Sequence, residues 1–388
     1  MTSHSTPAIA RILLAIAALG LLAACSDDGA TEPQPPQLDG RQIFRFDTFG
    51  DETFWTDTLR MHEVIQAAVD PATALAVGLK VDADALPPGT LAGADLHDPA
   101  TTVALLKLNA VVGLQGTVET VNGKDTLTSV GITCALCHSS VDNSTQPGIG
   151  HRLDGWPNLD LNPGAILALS PALTAEQKAV YNSWGAGRYD PRYNRDGINA
   201  PVPIPPAYGL AGVNLATATG DGDISYWNAY VAITQMHGHG NFVDPRIGAD
   251  IHQAPDQVTP KLPALKDYQV SLPAPPPPAG SFDEAAAARG ATVFSGAAKC
   301  ASCHVPPRFT DDRLYDPAAV GADPTYAQRS ATRQYRTTPL RALWQHAPYF
   351  HDGSAATLDD VVEHYVTVQG LQLTPQQRQD LVEYLKSI

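Results

Sequence analysis

The stretch "DEAAAARGATVFSGAAKCASCH", Asp283 to His304, decides how this chain is read. It opens with good helix formers, carries Gly290 and Phe294 along the way, and ends in Cys300, Cys303 and His304. C-x-x-C-H is the attachment signature of c-type haem: two thiols add across the porphyrin vinyl groups, and the adjoining imidazole reaches the iron. A second copy, "CALCH", stands at Cys134, Cys137 and His138. Apart from Cys25, these two motifs contain every cysteine of the chain.

Three other chemistries use C-x-x-C: a small disulfide, a zinc site built from all four thiols, and a thioredoxin-type redox pair. The histidines separate them. With 12 His in 388 residues, chance would place one after both motifs on the order of one time in a thousand. The sequence therefore predicts two covalently bound haem c groups, with Cys134 and Cys137 on the first and Cys300 and Cys303 on the second. His138 and His304 are the expected proximal ligands.

Outward from this stretch, the chain closes with "LTPQQRQDLVEYLKSI", where Thr374 can cap a helix, Pro375 takes its first position, and Leu381, Tyr384 and Leu385 share a face. On the other side, "SLPAPPPPAGSF" is a stiff linker. Upstream, "GTVETVNGKDTLTSVGITCALCH" reads as a hairpin turning at Asn122-Gly123, so a strand leads into the first motif where a helix would be expected. Long irregular segments follow, at 150–166 and 188–210. A weak repeat pairs "IPPAYGLAGV" and "ISYWNAY" with "RTTPLRALW" and "PYFHDGS". The expected fold is mainly α with extensive loops, a small β-hairpin element and two cytochrome c-like haem domains, at 41–270 and 282–388, joined by the linker 271–281.

The amino end has Arg11, an apolar run from Ile12 to Leu22, and Leu22-Ala23-Ala24-Cys25. This is the pattern of an export signal, 1–24, too short for a membrane span with its own flanks. It is similar to a lipoprotein cleavage site, which implies lipidation at Cys25, a polar tether over 25–40, and attachment on the periplasmic side of the outer membrane. A formal charge of −15 argues against a nucleic-acid partner. A basic soluble redox protein suits such a surface better.

The doubled motif and "TTPLRALWQHAPYFHDGSAATLDDVVEHY", Thr337 to Tyr365, resemble the bacterial di-haem cytochrome c peroxidase superfamily, which includes the di-haem enzyme that matures methylamine dehydrogenase. The C-terminal part resembles a class I cytochrome c domain, whose first and last helices cross at a small residue and an aromatic. The resemblance implies one haem that receives electrons, another that reacts with a small oxidant or organic substrate, and a tryptophan between them. Its register puts Trp227 there, with Trp156, Trp184 and Trp344 also near haem-linked segments. The superfamily's acid/base Glu has no counterpart: Ser225 to Pro260 contains no Glu, and Asp244 and Asp250 are the nearest carboxylates. Losing such a group removes a step worth roughly two to four orders of magnitude in rate. A di-haem oxidoreductase and a tethered electron carrier without a reactive haem therefore both fit.

For the first haem, "QMHGHGNF" supplies the expected distal side, with Met236 or His239 reaching iron and His237 and His151 behind them. The second domain has no methionine, so a His/Met pair is excluded there. "TLDDVVEHY" predicts a helix capped by Thr357, with Leu358, Val361, Val362 and Tyr365 on one apolar stripe and His364 at its edge. Tyr365 is then the inward residue, and by resemblance it occupies the ligand position of the superfamily; His364 is the alternative. His351 is expected in the pocket wall.

Overall fold

Among the described residues the chain begins with a short helix whose first residue, Gly40, falls at the end of the expected tether. In this computed structural model, which describes residues 38–388, Asp39 accepts hydrogen bonds from the N–H groups of Arg41 and Gln42 and so starts α1 (Gly40–Phe46). Gly40 is buried, so the expected tether, 25–40, ends inside packed structure. The export signal and Cys25 lie outside the described residues.

After α1 come α2 (Met61–Ala68) and α3 (Pro99–Lys107). The hairpin β1 (Leu114–Val121) and β2 (Lys124–Ile132) then packs on both helices. Asn122 and Gly123 take φ of 52° and 78°, the left-handed pair that a type I′ turn requires. At Thr133 the second strand runs straight into the first haem motif. Two short helices, Pro163–Ala168 and Ala175–Asn182, begin at the end of the first irregular segment and fill the stretch before the second. Then come α4 (Ile224–Thr234) and α5 (Leu262–Ser271), the linker, α6 (Glu284–Ser295), α7 (Leu358–Val368) and α8 (Pro375–Lys386). Among the described residues all sheets are two-stranded, and no helix is long and apolar enough to cross a membrane.

Two helix crossings organise the body. α6 meets α8 at Gly290, where a Cβ would stand 2.0 Å from the Asp380 carbonyl oxygen and 2.8 Å from the Tyr384 Cβ. One turn on, Phe294 meets Tyr384 at 5.2 Å between ring centroids and 64°. The first helix repeats this arrangement against α5. A Cβ on Gly40 would stand 2.0 Å from the Ala264 carbonyl oxygen and 2.8 Å from the Tyr268 Cβ, and Phe44 meets Tyr268 at 5.6 Å and 59°. Both phenylalanines are buried, and burial of each contributes about 2 kcal/mol. In both halves a Gly-x-x-x-Phe helix crosses a helix carrying Tyr four residues past the contact carbonyl. The helix missing before the first motif is therefore present, some ninety residues upstream, with α2, α3 and the hairpin inserted between.

The proposed internal repeat divides in two. Its aromatic dipeptides are not equivalent: Asp223 caps α4 through the N–H groups of Ser225 and Tyr226, so Tyr226-Trp227 lies inside a helix. Tyr349-Phe350, by contrast, sits in a turn with φ of 68° at Phe350. The Pro-containing segments do correspond, each through a carbonyl that meets the histidine of a C-x-x-C-H motif.

Candidate haem sites

The first motif starts a single helical turn, Ala135–His138, wedged between two cores. Cys134 packs toward the core containing Phe44, Trp227 and Tyr230, and Cys137 toward the one containing Leu106, Leu127 and Ile149. A Cβ on Gly113 would lie 2.1 Å from the Leu136 Cα, so the hairpin's base grips the motif as only glycine permits. Backbone N–H groups of Gly155 and Asn158 close the turn on the carbonyls of His138 and Cys137, at 2.8 and 2.9 Å.

The His138 ring donates from Nδ1 to the Pro205 carbonyl, 3.0 Å away. A carbonyl can only accept, so the tautomer is fixed and Nε2 keeps its lone pair. Burial pushes the His138 pKa down to about 4, so the ring is neutral at physiological pH. At the second motif, His304 donates from Nδ1 to the Thr338 carbonyl at 3.0 Å and the Phe309 carbonyl at 3.2 Å. Burial lowers its pKa too. Pro205 and Thr338 each precede a proline, Pro206 and Pro339, in the segments that correspond in the repeat.

All four motif thiols are unpaired and half-buried. Burial raises the pKa values of Cys134 and Cys137 to about 12 and of Cys300 to about 11. Among the described residues no three His, Cys, Asp or Glu side chains gather into a metal-holding group, so the thiols do not build a shared zinc site. Protonated thiols beside a neutral imidazole with a free Nε2 are the donor set that c-type haem requires.

The distal candidates separate in space. His364 directs Nε2 to the Val320 carbonyl, 2.9 Å away. Tyr365, one residue on, turns toward the motif: burial raises its pKa to about 12, with the thiols of Cys300 and Cys303 adding to the shift. His351 bonds the Tyr335 hydroxyl at 2.8 Å and lies tilted against that ring, 4.3 Å between centroids. In the first half, Met236 is buried in the core that includes Trp227, and its carbonyl accepts from the Trp55 indole at 3.2 Å. His237 stacks on Phe54 at 3.7 Å. His239 is tied through its backbone, N–H to the Phe49 carbonyl and carbonyl to the Gln257 N–H, both 2.8 Å. His151 faces outward, paired with Asp84 at 2.8 Å. Asp244 is engaged by Arg246 and the Tyr226 hydroxyl, and Asp250 by His252, so neither is a free acid here.

Trp227 is buried, and its indole N–H has no partner among the described residues. The Arg192 guanidinium lies over its ring at 5.6 Å and over the Tyr326 ring at 5.2 Å. A direct aromatic contact between the halves lies elsewhere: Trp156 meets Trp344 at 5.8 Å, and the Tyr208 hydroxyl lies 3.1 Å from the His346 Nε2.

Sequence reasoning passed over three groups. Asp51, with no exposed surface, spans the Ile132 N–H at 3.2 and 3.3 Å just before the first motif, and its pKa rises to about 9. Burial is the main cause, with Glu52 and Asp47 adding repulsion. Tyr315 places its hydroxyl 3.4 Å from the Cys303 sulfur and 2.6 Å from Asp311. The proximal acceptors Pro205 and Thr338 act through backbone atoms; a proline one residue later was the visible signal.

Residues 287–388 match the family model for cytochrome c, and this part of the molecule is a c-type cytochrome domain carrying covalently bound haem. About a quarter of the chain is similar to members of the di-haem peroxidase-like superfamily. It is 31% identical over 120 residues to the methylamine utilization protein MauG of Methylorubrum extorquens, covering 26% of this chain and 34% of that protein. It is 28% identical over 152 residues to the cytochrome-c peroxidase IdrP1 of Denitromonas iodatirespirans, covering 27% and 40%. The chain thus spans little more than a third of the length of the curated relatives it matches. Among solved structures, hydrazine synthase of Kuenenia stuttgartiensis aligns over 50% of this chain and 74% of that one, at 20% identity and a TM-score of 0.36.

Proposed function

We propose that this protein is an exported di-haem c-type cytochrome that passes electrons between its two haems to a small oxidant or organic substrate, as in the cytochrome c peroxidase type. The observation that carries the reading is the duplicated site: in each half a crossed Gly-x-x-x-Phe helix pair accompanies a C-x-x-C-H whose His donates Nδ1 to the carbonyl before a proline. Haem, when bound, supplies one-electron chemistry; the chain's residues bind and tune it. His138 and His304 would hold the irons, and their carbonyl acceptors keep the rings oriented. Tyr365 would be the oxygen donor to the second haem, because His364 is spent on Val320. Met236 or His239 remains the distal residue of the first. A tyrosine oxygen in that role would favour the oxidised state and would lower the potential relative to a His/Met cytochrome.

Electrons cross between the halves through tryptophan. Trp227 is one route, with Arg192 joining it to Tyr326; the Trp156–Trp344 contact is the more direct one. The lipid anchor on Cys25, a periplasmic position on the outer membrane and a basic soluble redox partner belong to the same proposal.

A second reading, a tethered electron carrier without a reactive haem, is favoured by the engaged state of Asp244. One set of measurements on the full protein decides. The pyridine assay on denatured, reduced protein is expected to give two haems per chain; one would end the di-haem reading. Carbon monoxide or peroxide should perturb one haem of the half-reduced protein, whereas two unresponsive low-spin haems would leave the carrier. The tyrosinate Raman band is expected to vanish in Tyr365→Phe and persist in His364→Ala. Slower electron transfer between haems in Trp344→Phe than in Trp227→Phe identifies the route.

A further inference from the structure

Tyr208 joins the two halves through its hydroxyl. It stands three residues after Pro205, whose carbonyl holds the His138 ring, and its side chain is buried. Backbone bonds fix it on both sides, from the Ala207 N–H to the Gly155 carbonyl and from the Gly209 N–H to the Leu272 carbonyl, both 2.8 Å. The hydroxyl meets two consecutive side chains of the C-terminal half, Gln345 and His346. These close a short turn, Leu343–Gln345, that is pinned by the Leu343 N–H on the Ile388 carbonyl at 3.1 Å.

The direction of each bond follows from the donors available. The Gln345 Nε2 can only donate, so the Tyr208 oxygen accepts from it. The phenol's own proton then points to the His346 Nε2, 3.1 Å away. That nitrogen offers a lone pair, because burial pulls the His346 pKa down to about 4 and keeps the ring neutral. Other buried tyrosines give their proton to groups that cannot take it: Tyr230 to the Pro191 carbonyl and Tyr335 to the Asp323 carbonyl, both at 2.7 Å. Tyr208 also lies 6.4 Å from Trp156, which meets Trp344 at 5.8 Å, so the Tyr208–His346 pair borders the aromatic contact between the halves.

We propose that Tyr208 is a redox-active tyrosine on the electron path at the Trp156–Trp344 contact, with His346 as the base that takes its proton. In the forward step the Tyr208 O–H bond breaks, the proton forms an N–H bond at the His346 Nε2, and one electron leaves through Trp156 to a haem left oxidised by the small oxidant. Tyr208 becomes a neutral phenoxyl radical and His346 an imidazolium. One electron from the reduced substrate or redox partner then restores the phenol, and the same proton returns. A base is needed because a phenol that has lost an electron is a far stronger acid than the ground-state group, whose pKa is about 10, and burial denies it water as acceptor. An imidazole at hydrogen-bond distance takes the proton without any movement of heavy atoms. The inference rests on the oxidoreductase reading for its oxidant and on the local geometry for the pair.

The test uses the full haem-loaded protein with photogenerated tris(bipyridine)ruthenium(III) as one-electron oxidant, freeze-quenched and read by electron paramagnetic resonance. A tyrosyl signal is expected in the wild type and is expected to be lost in Tyr208→Phe, with haem content unchanged. In His346→Gln the hydroxyl keeps a hydrogen-bonding neighbour but loses its base, so the signal should fall by about tenfold or more. No tyrosyl signal in the wild type, or a wild-type signal in either folded variant, overturns the proposal. If Tyr208→Phe does not fold, the glutamine variant decides alone: an unchanged yield means that His346 takes no proton from the radical. Because the ruthenium complex supplies the oxidant, haems inert to peroxide would end the enzymatic reading and leave this test standing.

Discussion

The two halves of this molecule use the same helix crossing around the same motif, yet one is contiguous in sequence and the other is not. Gly290 and Cys300 are ten residues apart; Gly40 and Cys134 are separated by α2, α3 and the hairpin. In the C-terminal half the first helix leads directly into the haem turn, so local chain direction sets the geometry. In the N-terminal half the same turn is approached by a strand, and its position is held from outside by Gly113 against Leu136 and by Asp51 on the Ile132 N–H. The crossing is therefore a tertiary frame that tolerates a long insertion, because the insertion packs its own apolar core beside it.

The largest effect that can break this equivalence is at the crossings. Gly40→Ala and Gly290→Ala each drive a methyl to 2.0 Å from a backbone carbonyl oxygen that no rotamer change can move. Each is expected to cost about 3 kcal/mol, read as a fall in thermal midpoint with loss of haem in its own half. A Gly40→Ala protein as stable as wild type, beside a destabilised Gly290→Ala, would dissolve the duplication.

Asp51 marks a difference between the halves, and a pH series sharpens it. Its folded pKa, about 9, lies above the usual 3.8. Below about pH 4 both folded and unfolded chains hold the proton, and the group contributes no penalty. Between about 4 and 9 the unfolded chain releases the proton and the fold retains it, so stability falls as pH rises, by up to about 1.4 kcal/mol per pH unit. Asp51→Asn should flatten that slope and gain on the order of 3 kcal/mol at pH 7. Denaturant titrations of both proteins at pH 5 and pH 8 check this; equal slopes would remove Asp51 from the account.

The smallest effect separates packing from backbone conformation. Gly123 has φ of 78° with nothing within 4 Å of a Cβ, so Gly123→Ala meets only the left-handed penalty, about 1 kcal/mol. Denaturation with haem content intact is the expected outcome of that variant's melt. A loss comparable to Gly40→Ala would show that hairpin register, not the crossing, holds the first motif.

Much was legible because it is encoded over short distances. C-x-x-C-H, the Asn-Gly turn, the Thr357 and Thr374 caps and the inward stripe of α7 each depend on residues within a few positions, where covalent spacing and helical period leave little freedom. Periodicity also distinguished Tyr365 from His364, one residue apart but about 100° around the helix. The rest needed the fold. The helix α1 was not foreseen, and its first residue, Gly40, was placed in the tether, because seven residues are too few for a periodic pattern to declare itself; only Ala264 and Tyr268, more than two hundred residues on, show why a glycine and a phenylalanine stand there. The aromatic dipeptides looked alike, but capping by Asp223 put one in a helix and a left-handed turn put the other outside one. The acceptors that fix both histidines are backbone carbonyls, and any residue carries one. Asp51 looks ordinary as a letter. Burial away from compensating charge gives it its character, and burial is a property of the whole packed chain.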